Sequence, residues 1–357
     1  MRSHTLASRA LVALLVLVAA ALALRGTALA QQAPQLTASL VRELPTDPES
    51  PIWQQARPAA VPLTPQVVAL PRLAQVSVQS VSVRALHDGQ RIAFLMAWSD
   101  PTRDARAVKP DEFRDAAAIM LPVGDAPPNI CMGSPGQTTN LWHWKADWQE
   151  DIDKGFQDLP QAYPNFSKDY YPYAAGSPPF DAAKDFASDE AKAYLIGRAA
   201  GNPLSAVTKK SPVEELLAVG FGTTTHKQRQ EVEGRGVWSG GRWQVAFVRA
   251  LASGDAAEAD LAKRSDVPVA FAVWNGANQE VGARKQVSGF LTLRIAGEAA
   301  PPAAPPAAAP AVPTRVPLAY EWWISIAVAL IILVLGGAAL AGYWARQREI
   351  ARRQEGE

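Results

Sequence analysis

The chain has 357 residues, with 35 Lys and Arg against 34 Asp and Glu, and its single cysteine is Cys131. The near-neutral balance, without a concentrated basic face, argues against nucleic-acid binding. One cysteine excludes an internal disulfide, a Cys-x-x-Cys redox pair and a cysteine-bound iron–sulfur cluster. A body of this length must therefore be stabilised by its own hydrophobic core.

Residues 1–30 have the pattern of a secretory signal. Arg2 and Arg9 precede an apolar run over residues 10–24, and small residues precede Gln31. We expect the mature chain to start near Gln31, outside the cytoplasm.

The first half of the body alternates apolar and polar residues. Segments 76–83 and 91–98 flank an Asp88-Gly89 turn, which predicts an antiparallel hairpin, and a further strand is expected at 116–122.

The last part of the body repeats this pattern. A second hairpin is predicted over 235–238 and 242–249 around a Gly240-Gly241 turn, followed by strands at 267–274 and 287–295. Six or more short strands favour a mainly β fold, an antiparallel β-sandwich, over residues 31–297.

Residues 147–233 have a different texture, rich in proline, glycine and aromatic residues. We predict a long insertion of loops with short helices at 182–197 and 213–220, folded over one end of the sandwich.

The C-terminal part predicts a membrane anchor. Residues 298–317 are nearly all Ala and Pro, which is typical of an extended linker. Residues 320–344 then form an apolar segment with aromatic ends, long enough for one transmembrane helix. The arginines of the tail, 345–357, place that tail in the cytoplasm and the body on the opposite side of the membrane.

One residue in the body suggests cofactor chemistry. Met132 lies on a loop bounded by proline and glycine, just before an aromatic strand at 140–145. A methionine sulfur is a soft axial ligand for haem iron used in electron transfer, although from the residues alone a gap-filling thioether is the favoured interpretation. The histidines lack metal-ligand spacing, and neither a Gly-x-Ser-x-Gly elbow nor a phosphate-binding glycine loop is present.

Several short motifs occur together, in order, along the chain. They are Arg84–Gly89, Trp98–Arg103, Phe113–Ala118, Met132-Gly133, Asn140–Ala146, Trp148–Asp151, Asp169–Pro172, Ala200–Ser205, Gly220–Thr223 and Val273–Gly276. In this respect the chain resembles the haem-binding gamma subunits related to ethylbenzene dehydrogenase, dimethylsulfide dehydrogenase, selenate reductase and chlorate reductase. The resemblance covers about residues 40–295.

The resemblance implies a non-covalent haem b at one end of a β-sandwich, with a methionine and a lysine as axial iron ligands. The methionine matches Met132, and the lysine matches Lys285, just before the last predicted strand. Lys145, Lys209 and Lys227 are alternatives for the second ligand.

Further haem contacts follow from the same resemblance. Trp142, Trp144 and Tyr170 are candidates either for the wall of the haem site or for the core, and Asn275 is a candidate contact. Cys131, next to Met132, is an alternative iron ligand.

The function implied is that of a membrane-anchored periplasmic b-type cytochrome domain without catalytic activity of its own. It would relay electrons to or from a molybdopterin catalytic subunit and an iron–sulfur subunit, or another redox protein. The alternative is a cell-surface β-sandwich module that binds carbohydrate or protein without haem.

Overall fold

The computed structural model describes residues 35–165, 175–176, 182–195, 197 and 200–297, with residues 341, 342, 344, 345, 347 and 348. The chain divides into two compact units, residues 1–303 and 304–357. The predicted signal and linker lie outside the described residues, as does most of the predicted transmembrane segment. No helix within the described ranges is both long and apolar enough to cross a bilayer.

The described part of the first unit is mainly β, which confirms the predicted class. Its strands are β1 (Gln35–Leu40), β2 (Ala59–Pro62), β3 (Thr64–Pro65), β4 (Ser80–His87), β5 (Arg91–Ser99), β6 (Ala116–Pro122), β7 (Thr139–Lys145), β8 (Val213–Ala218), β9 (Thr225–His226), β10 (Glu233–Ser239), β11 (Arg242–Ala250), β12 (Asp266–Trp274), β13 (Gln286–Val287) and β14 (Leu291–Ile295). Short helices cover Ala146–Lys154, Leu159–Ala162, Ala182–Asp185 and Asp189–Lys192, and single 3-10 turns cover Pro51–Gln55, Pro203–Ser205 and Gly276–Asn278.

Eleven of these strands form one hydrogen-bonded path, in the order β10-β11-β5-β4-β1-β14-β12-β6-β7-β8-β9. Off this path, β2 pairs with β4, and β13 pairs with β12 and β3. We call β10, β11, β5, β4, β1 and β14 the first arm, and β6, β7, β8 and β9 the second arm. Strand β1 is parallel to both of its neighbours, β14 and β4, whereas the other described pairs are antiparallel. The sheet is therefore largely, but not wholly, antiparallel.

Strand β12 belongs to both arms. Its first part, Asp266–Val269, pairs with β14, and its second part, Ala270–Trp274, pairs with β6. One continuous strand thus carries the chain from one arm to the other.

The inner faces of the two arms meet in an aromatic core. Phe94 of β5 contacts Trp142 of β7 edge to face, with ring centroids 5.8 Å apart. Trp144 of β7 contacts Trp98 and Trp243 of the first arm at 6.4 and 4.9 Å. Because these contacts bridge the arms, both arms of this single, largely antiparallel sheet share one core.

Both predicted hairpins are confirmed. Strands β4 and β5 turn at Asp88-Gly89, and β10 and β11 turn at Gly240-Gly241. Strand β4 covers Ser80–His87, however, and not the predicted 76–83. All three glycines have positive φ, the conformation that tight hairpin turns require.

The helix predicted at 213–220 was wrong, because Val213–Ala218 is strand β8, paired with β7. The carboxylates of Glu214 and Glu215 are buried and bonded, Glu214 to Lys145 across the pair and Glu215 to the backbone N–H of Glu231. These tertiary contacts override the helical preference of a Glu-Glu-Leu-Leu segment. Because the sheet resumes with β8 at Val213, the irregular insertion is shorter than the predicted range 147–233.

Two other boundaries differ from the prediction. The helix expected at 182–197 is divided into two single turns, with Ser188 capping the second. The strand expected at 287–295 is interrupted between β13 and β14, where the Ser288 hydroxyl accepts a hydrogen bond from the backbone N–H of Phe271.

Candidate functional site

Strand β6, in the second arm, is buried on both of its faces. On β6, residues 117, 119 and 121 join the main core, while the alternate residues lie on the opposite side, which we call the outer face. Every residue of β6 is buried. The outer face must therefore be covered by other parts of the chain.

Two loops lie over this outer face. The methionine loop, residues 129–133, packs Met132 against an apolar cluster of β6, β7, β8 and β12. The lysine loop, residues 280–286, leads into β13. The Nζ of Lys285 lies 3.8 Å from the Sδ of Met132.

The methionine loop is a tight turn. Met132 itself has φ of +66°, a left-handed conformation that is uncommon outside glycine, and Gly133 has φ of +90°. The carbonyl of Met132 accepts hydrogen bonds from the Gly220 N–H (3.0 Å) and the Thr139 hydroxyl (3.2 Å). These contacts fix the Met132 backbone to the end of the second arm.

The lysine loop rests on Trp274, the last residue of β12. The Nζ of Lys285 lies 4.9 Å from the centre of the Trp274 ring, and the indole N–H donates to the carbonyl of Gly282 at 3.1 Å. The carbonyl of Lys285 accepts from the backbone N–H of Gln66 at 3.0 Å. Both the side chain and the backbone of Lys285 are thus held by neighbouring elements.

Burial lowers the pKa of Lys285 from 10.5 to about 8, while Cys131 acts weakly in the opposite direction. Burial disfavours the charged ammonium, since it removes hydration that the protein replaces only in part. The neutral amine, which has a lone pair free to bind a metal, is therefore accessible close to physiological pH.

The three alternative lysines have a different environment. Lys145, Lys209 and Lys227 each form a buried ion pair, with Glu214, Asp151 and Glu258 respectively. Lys285 has no carboxylate within 4 Å among the described residues. Burial also lowers the pKa of Lys145 to about 8, but its amine is committed to Glu214.

Between the two loops, the outer face of the sheet is made of small side chains that no sequence motif marks as functional. Ala116 and Ala118 of β6 alternate with core residues, and Ala270 and Ala272 do the same on β12. Alanine carries no reactive group, so only its recurrence at every second position could have revealed this surface. The result is a low apolar floor between the two loops.

His143 of β7 also faces this side of the sheet. Its ring stacks on Trp274 with centroids 4.7 Å apart, and its Nε2 is buried without a hydrogen-bond partner within the described residues. Burial, followed by the positive charges of Lys145, Arg114 and Lys285, lowers its pKa well below the usual 6.5. The ring is therefore neutral, and it adds to the aromatic wall of the site.

The remaining predicted site residues lie elsewhere or outside the described residues. Trp142 and Trp144 project from β7 into the core between the arms, on the opposite side from His143. Asn275 is buried directly after Trp274, and its backbone N–H donates to Glu280. Tyr170 lies outside the described residues.

A family model described as ethylbenzene dehydrogenase matches residues 50–286, a range that includes both loops. The chain belongs to the ethylbenzene dehydrogenase family. The matched range ends one residue after Lys285.

Three relatives of this ethylbenzene dehydrogenase family member are named as subunits of oxidoreductases. A protein of Haloferax mediterranei, provisionally named respiratory nitrate reductase heme subunit ORF7, is 28% identical over 70% of this chain and 68% of its own length. The chlorate reductase subunit gamma of Ideonella dechloratans is 24% identical over 68% and 75%. The dimethylsulfide dehydrogenase subunit gamma of Rhodovulum sulfidophilum is 25% identical over 72% and 78%.

Among solved structures, a family 9 carbohydrate-binding module from Caldicellulosiruptor kristjanssonii aligns with 74% of this chain and 96% of its own. The TM-score is 0.33 and the identity 9%, too low to support an argument about function.

Proposed function

We propose that this protein is an electron-transfer subunit that binds haem b, with the iron held between Met132 and Lys285. The observation that carries the proposal is the convergence of one thioether and one partly buried amine, 3.8 Å apart, from loops far apart in the sequence. The family and the named heme subunit among the relatives support the same cofactor.

The donor atoms fit such a group. The thioether of Met132 is a soft donor of the kind that holds haem iron in electron-transfer proteins. The neutral amine of Lys285, 3.8 Å away, has a lone pair that could serve as the second donor. The alanine floor and the rings of Trp274 and His143 give the apolar surroundings that a porphyrin requires.

Burial lowers the cost of using a lysine as the second donor. From an unperturbed pKa near 10.4, a neutral amine at pH 7 costs about 4–5 kcal/mol, whereas from about 8 it costs roughly 1.4 kcal/mol. When bound, the haem supplies one-electron transfer, and a methionine ligand raises its reduction potential.

The remaining parts of the proposal concern location and partners. The signal at 1–30, the linker at 298–317, the transmembrane helix at 320–344 and the tail at 345–357 would tether a body outside the cytoplasm. By analogy with the relatives, that body would exchange electrons with a molybdopterin subunit and an iron–sulfur subunit, or with another redox protein, and would not itself turn over substrate.

The test is a visible spectrum of the full-length protein, purified in detergent and supplied with haem. We expect a six-coordinate, low-spin b-type spectrum in the reduced state. Met132→Leu and Lys285→Gln should each remove one axial donor and give a high-spin species that binds carbon monoxide readily.

Matched controls are Met96→Leu in the core and Lys263→Gln on the surface, which should keep the wild-type spectrum. A folded wild-type protein that stays colourless would rule out the haem. A spectrum unchanged in Lys285→Gln but lost in Met132→Leu would leave the haem and remove Lys285 as its ligand.

Anchoring is tested separately by fractionating cells that express the protein. The full chain should stay with the membranes through an alkaline carbonate wash, and a chain that stops at residue 317 should be released. Release of the full chain by the wash would contradict the anchor.

A further inference from the structure

The lysine loop is closed at its base by two buried polar side chains. Glu280 is 1% exposed and Gln286 is fully buried, and the Gln286 side-chain amide donates to Glu280 Oε2 at 2.7 Å. This bond joins the residue that begins the loop to the residue that follows Lys285.

Glu280 accepts three further hydrogen bonds. Its donors are the backbone N–H of Asn275 (2.8 Å), the side-chain amide of Asn278 (2.9 Å) and the hydroxyl of Ser77 (2.9 Å). Within the described residues, no Lys, Arg or His forms an ion pair with it. A carboxylate is the one side chain that offers only acceptors to such a set, because a glutamine would turn an N–H₂ group toward another donor.

Gln286 connects the loop to two other segments. Its Oε1 accepts from the backbone N–H groups of Ser77 and Val78, at 2.6 and 3.0 Å. Its amide also donates to the carbonyl of Val273 on β12, at 3.2 Å. The residue next to Lys285 is therefore fixed both to β12 and to the segment before β4.

A lysine side chain is long and flexible, so it is a precise metal ligand only when the surrounding structure fixes its backbone. We propose that Glu280 is a positioning residue for Lys285: through Gln286 and Asn275 it holds the lysine loop so that the amine meets Met132. This inference rests on the proposed function. It adds a residue that touches neither donor atom.

The first experiment uses the full-length protein loaded with haem and the variant Glu280→Gln. Carbon monoxide binds ferrous haem only after one axial ligand leaves, so its binding rate rises when either Lys285 or Met132 is held less firmly. Mutation of residues that support metal ligands typically lowers metal affinity about 10- to 100-fold. We therefore expect carbon monoxide to bind Glu280→Gln at least about tenfold faster than the wild type. The charge-transfer band of methionine-bound ferric haem should remain, because Met132 is not touched.

Ser77→Ala is a milder second variant. It removes one donor to Glu280 and one contact to Gln286, and should shift the rate in the same direction by a smaller factor. Glu258→Gln is the matched control, because Glu258 is a similarly buried carboxylate whose partners, Lys227, Ser253 and Arg249, belong to neither loop. Its carbon monoxide rate should stay at the wild-type value.

A second readout does not require haem. In the haem-free protein, amide hydrogen exchange of residues 281–285 should accelerate in Glu280→Gln and stay unchanged in Glu258→Gln. Wild-type exchange and carbon monoxide rates in folded Glu280→Gln and Ser77→Ala would overturn the positioning role while leaving the haem proposal intact. A colourless wild-type protein would defeat both.

Discussion

The Nζ of Lys285 lies 3.8 Å from the Sδ of Met132, although 153 positions separate them in the chain. Neither group has an ionic partner that would explain this approach within the described residues. A buried amine next to a thioether has little to gain from it, since a thioether is only a weak acceptor. The arrangement is explained if the two groups are metal donors, as proposed. Its effect on the free energy of unfolding of the haem-free protein can be measured.

Lys285→Met should stabilise the haem-free protein at neutral pH. The pKa of Lys285 in the folded state, about 8, is below its unfolded value, so the folded state binds fewer protons between about pH 8 and 10.5. The free energy of unfolding of the wild type should therefore rise with pH through that window. Below pH 8, burial of Lys285 should lower this free energy by at most on the order of 3 kcal/mol. Denaturant unfolding of the haem-free protein at pH 7 and pH 10.5 measures this difference in unfolding free energy between Lys285→Met and the wild type.

The extra stability of Lys285→Met should be smaller at pH 10.5 than at pH 7, and the control Lys263→Met should show no extra stability at either pH. A less stable Lys285→Met at pH 7 would contradict this account of burial.

Acidification of the haem-loaded protein should release Lys285 before Met132. Only the neutral amine binds iron, so protons compete with the metal for Lys285, whereas a thioether has no proton to gain in this range. A spectral titration from pH 8 downward should show a first transition that is absent in Lys285→Gln. Persistence of that first transition in Lys285→Gln would assign it to another group.

Gly133→Ala should weaken haem binding more than Gly136→Ala. Both glycines have positive φ, but a Cβ at Gly133 would lie 2.2 Å from the Gln137 carbonyl oxygen, whereas a Cβ at Gly136 meets open space. The shared cost of the conformation is roughly 1–2 kcal/mol, and the clash adds to it while displacing the neighbouring Met132. Haem titration and thermal unfolding of the two variants separate these effects. Equal haem affinities would show that the turn does not position Met132.

Trp144→Leu should change the stability of the protein but not its haem spectrum, whereas Trp274→Leu should change the haem spectrum. Trp144 is fully buried between the arms, so its replacement by leucine should lower the free energy of unfolding, by less than the about 3–5 kcal/mol typical of Trp→Ala, and leave the haem spectrum of the folded protein unchanged. Trp274 supports Lys285 on the outer face, so its truncation should change the spectrum and the carbon monoxide rate. A changed spectrum in Trp144→Leu would move that residue into the site.

Local patterns predicted much of the sheet. The hairpins at Asp88-Gly89 and Gly240-Gly241 and the strand Ala116–Pro122 follow from alternation and turn residues, which act over a few positions. The segment at 213–218 was misread because its strand conformation depends on Lys145 and Gln230, partners that are remote in sequence. Strand β1 was not predicted, since its parallel pairing with β4 and β14 requires long connections that leave no local signal.

The site shows the same division. Met132 was conspicuous because of its loop, but nothing near Lys285 in sequence marks it, and its assignment came from family resemblance. Trp274, His143 and the alanine floor were not foreseen, because their common face exists only after β6, β7 and β12 have paired. Trp142 and Trp144 were candidate contacts that the strand period places on the other side of β7.

The pairing of β12 with β6 also predicts an order of events during folding. The floor of the site forms only when β12 has paired with β6, and that pairing joins residues near 118 to residues near 272. Contacts between such distant segments form late, because the entropy of closing the intervening loop must be overcome first. A partly folded chain thus presents Met132 without Lys285. We expect stable capture of haem to coincide with the final step of folding, so that the appearance of colour reports a completed sheet.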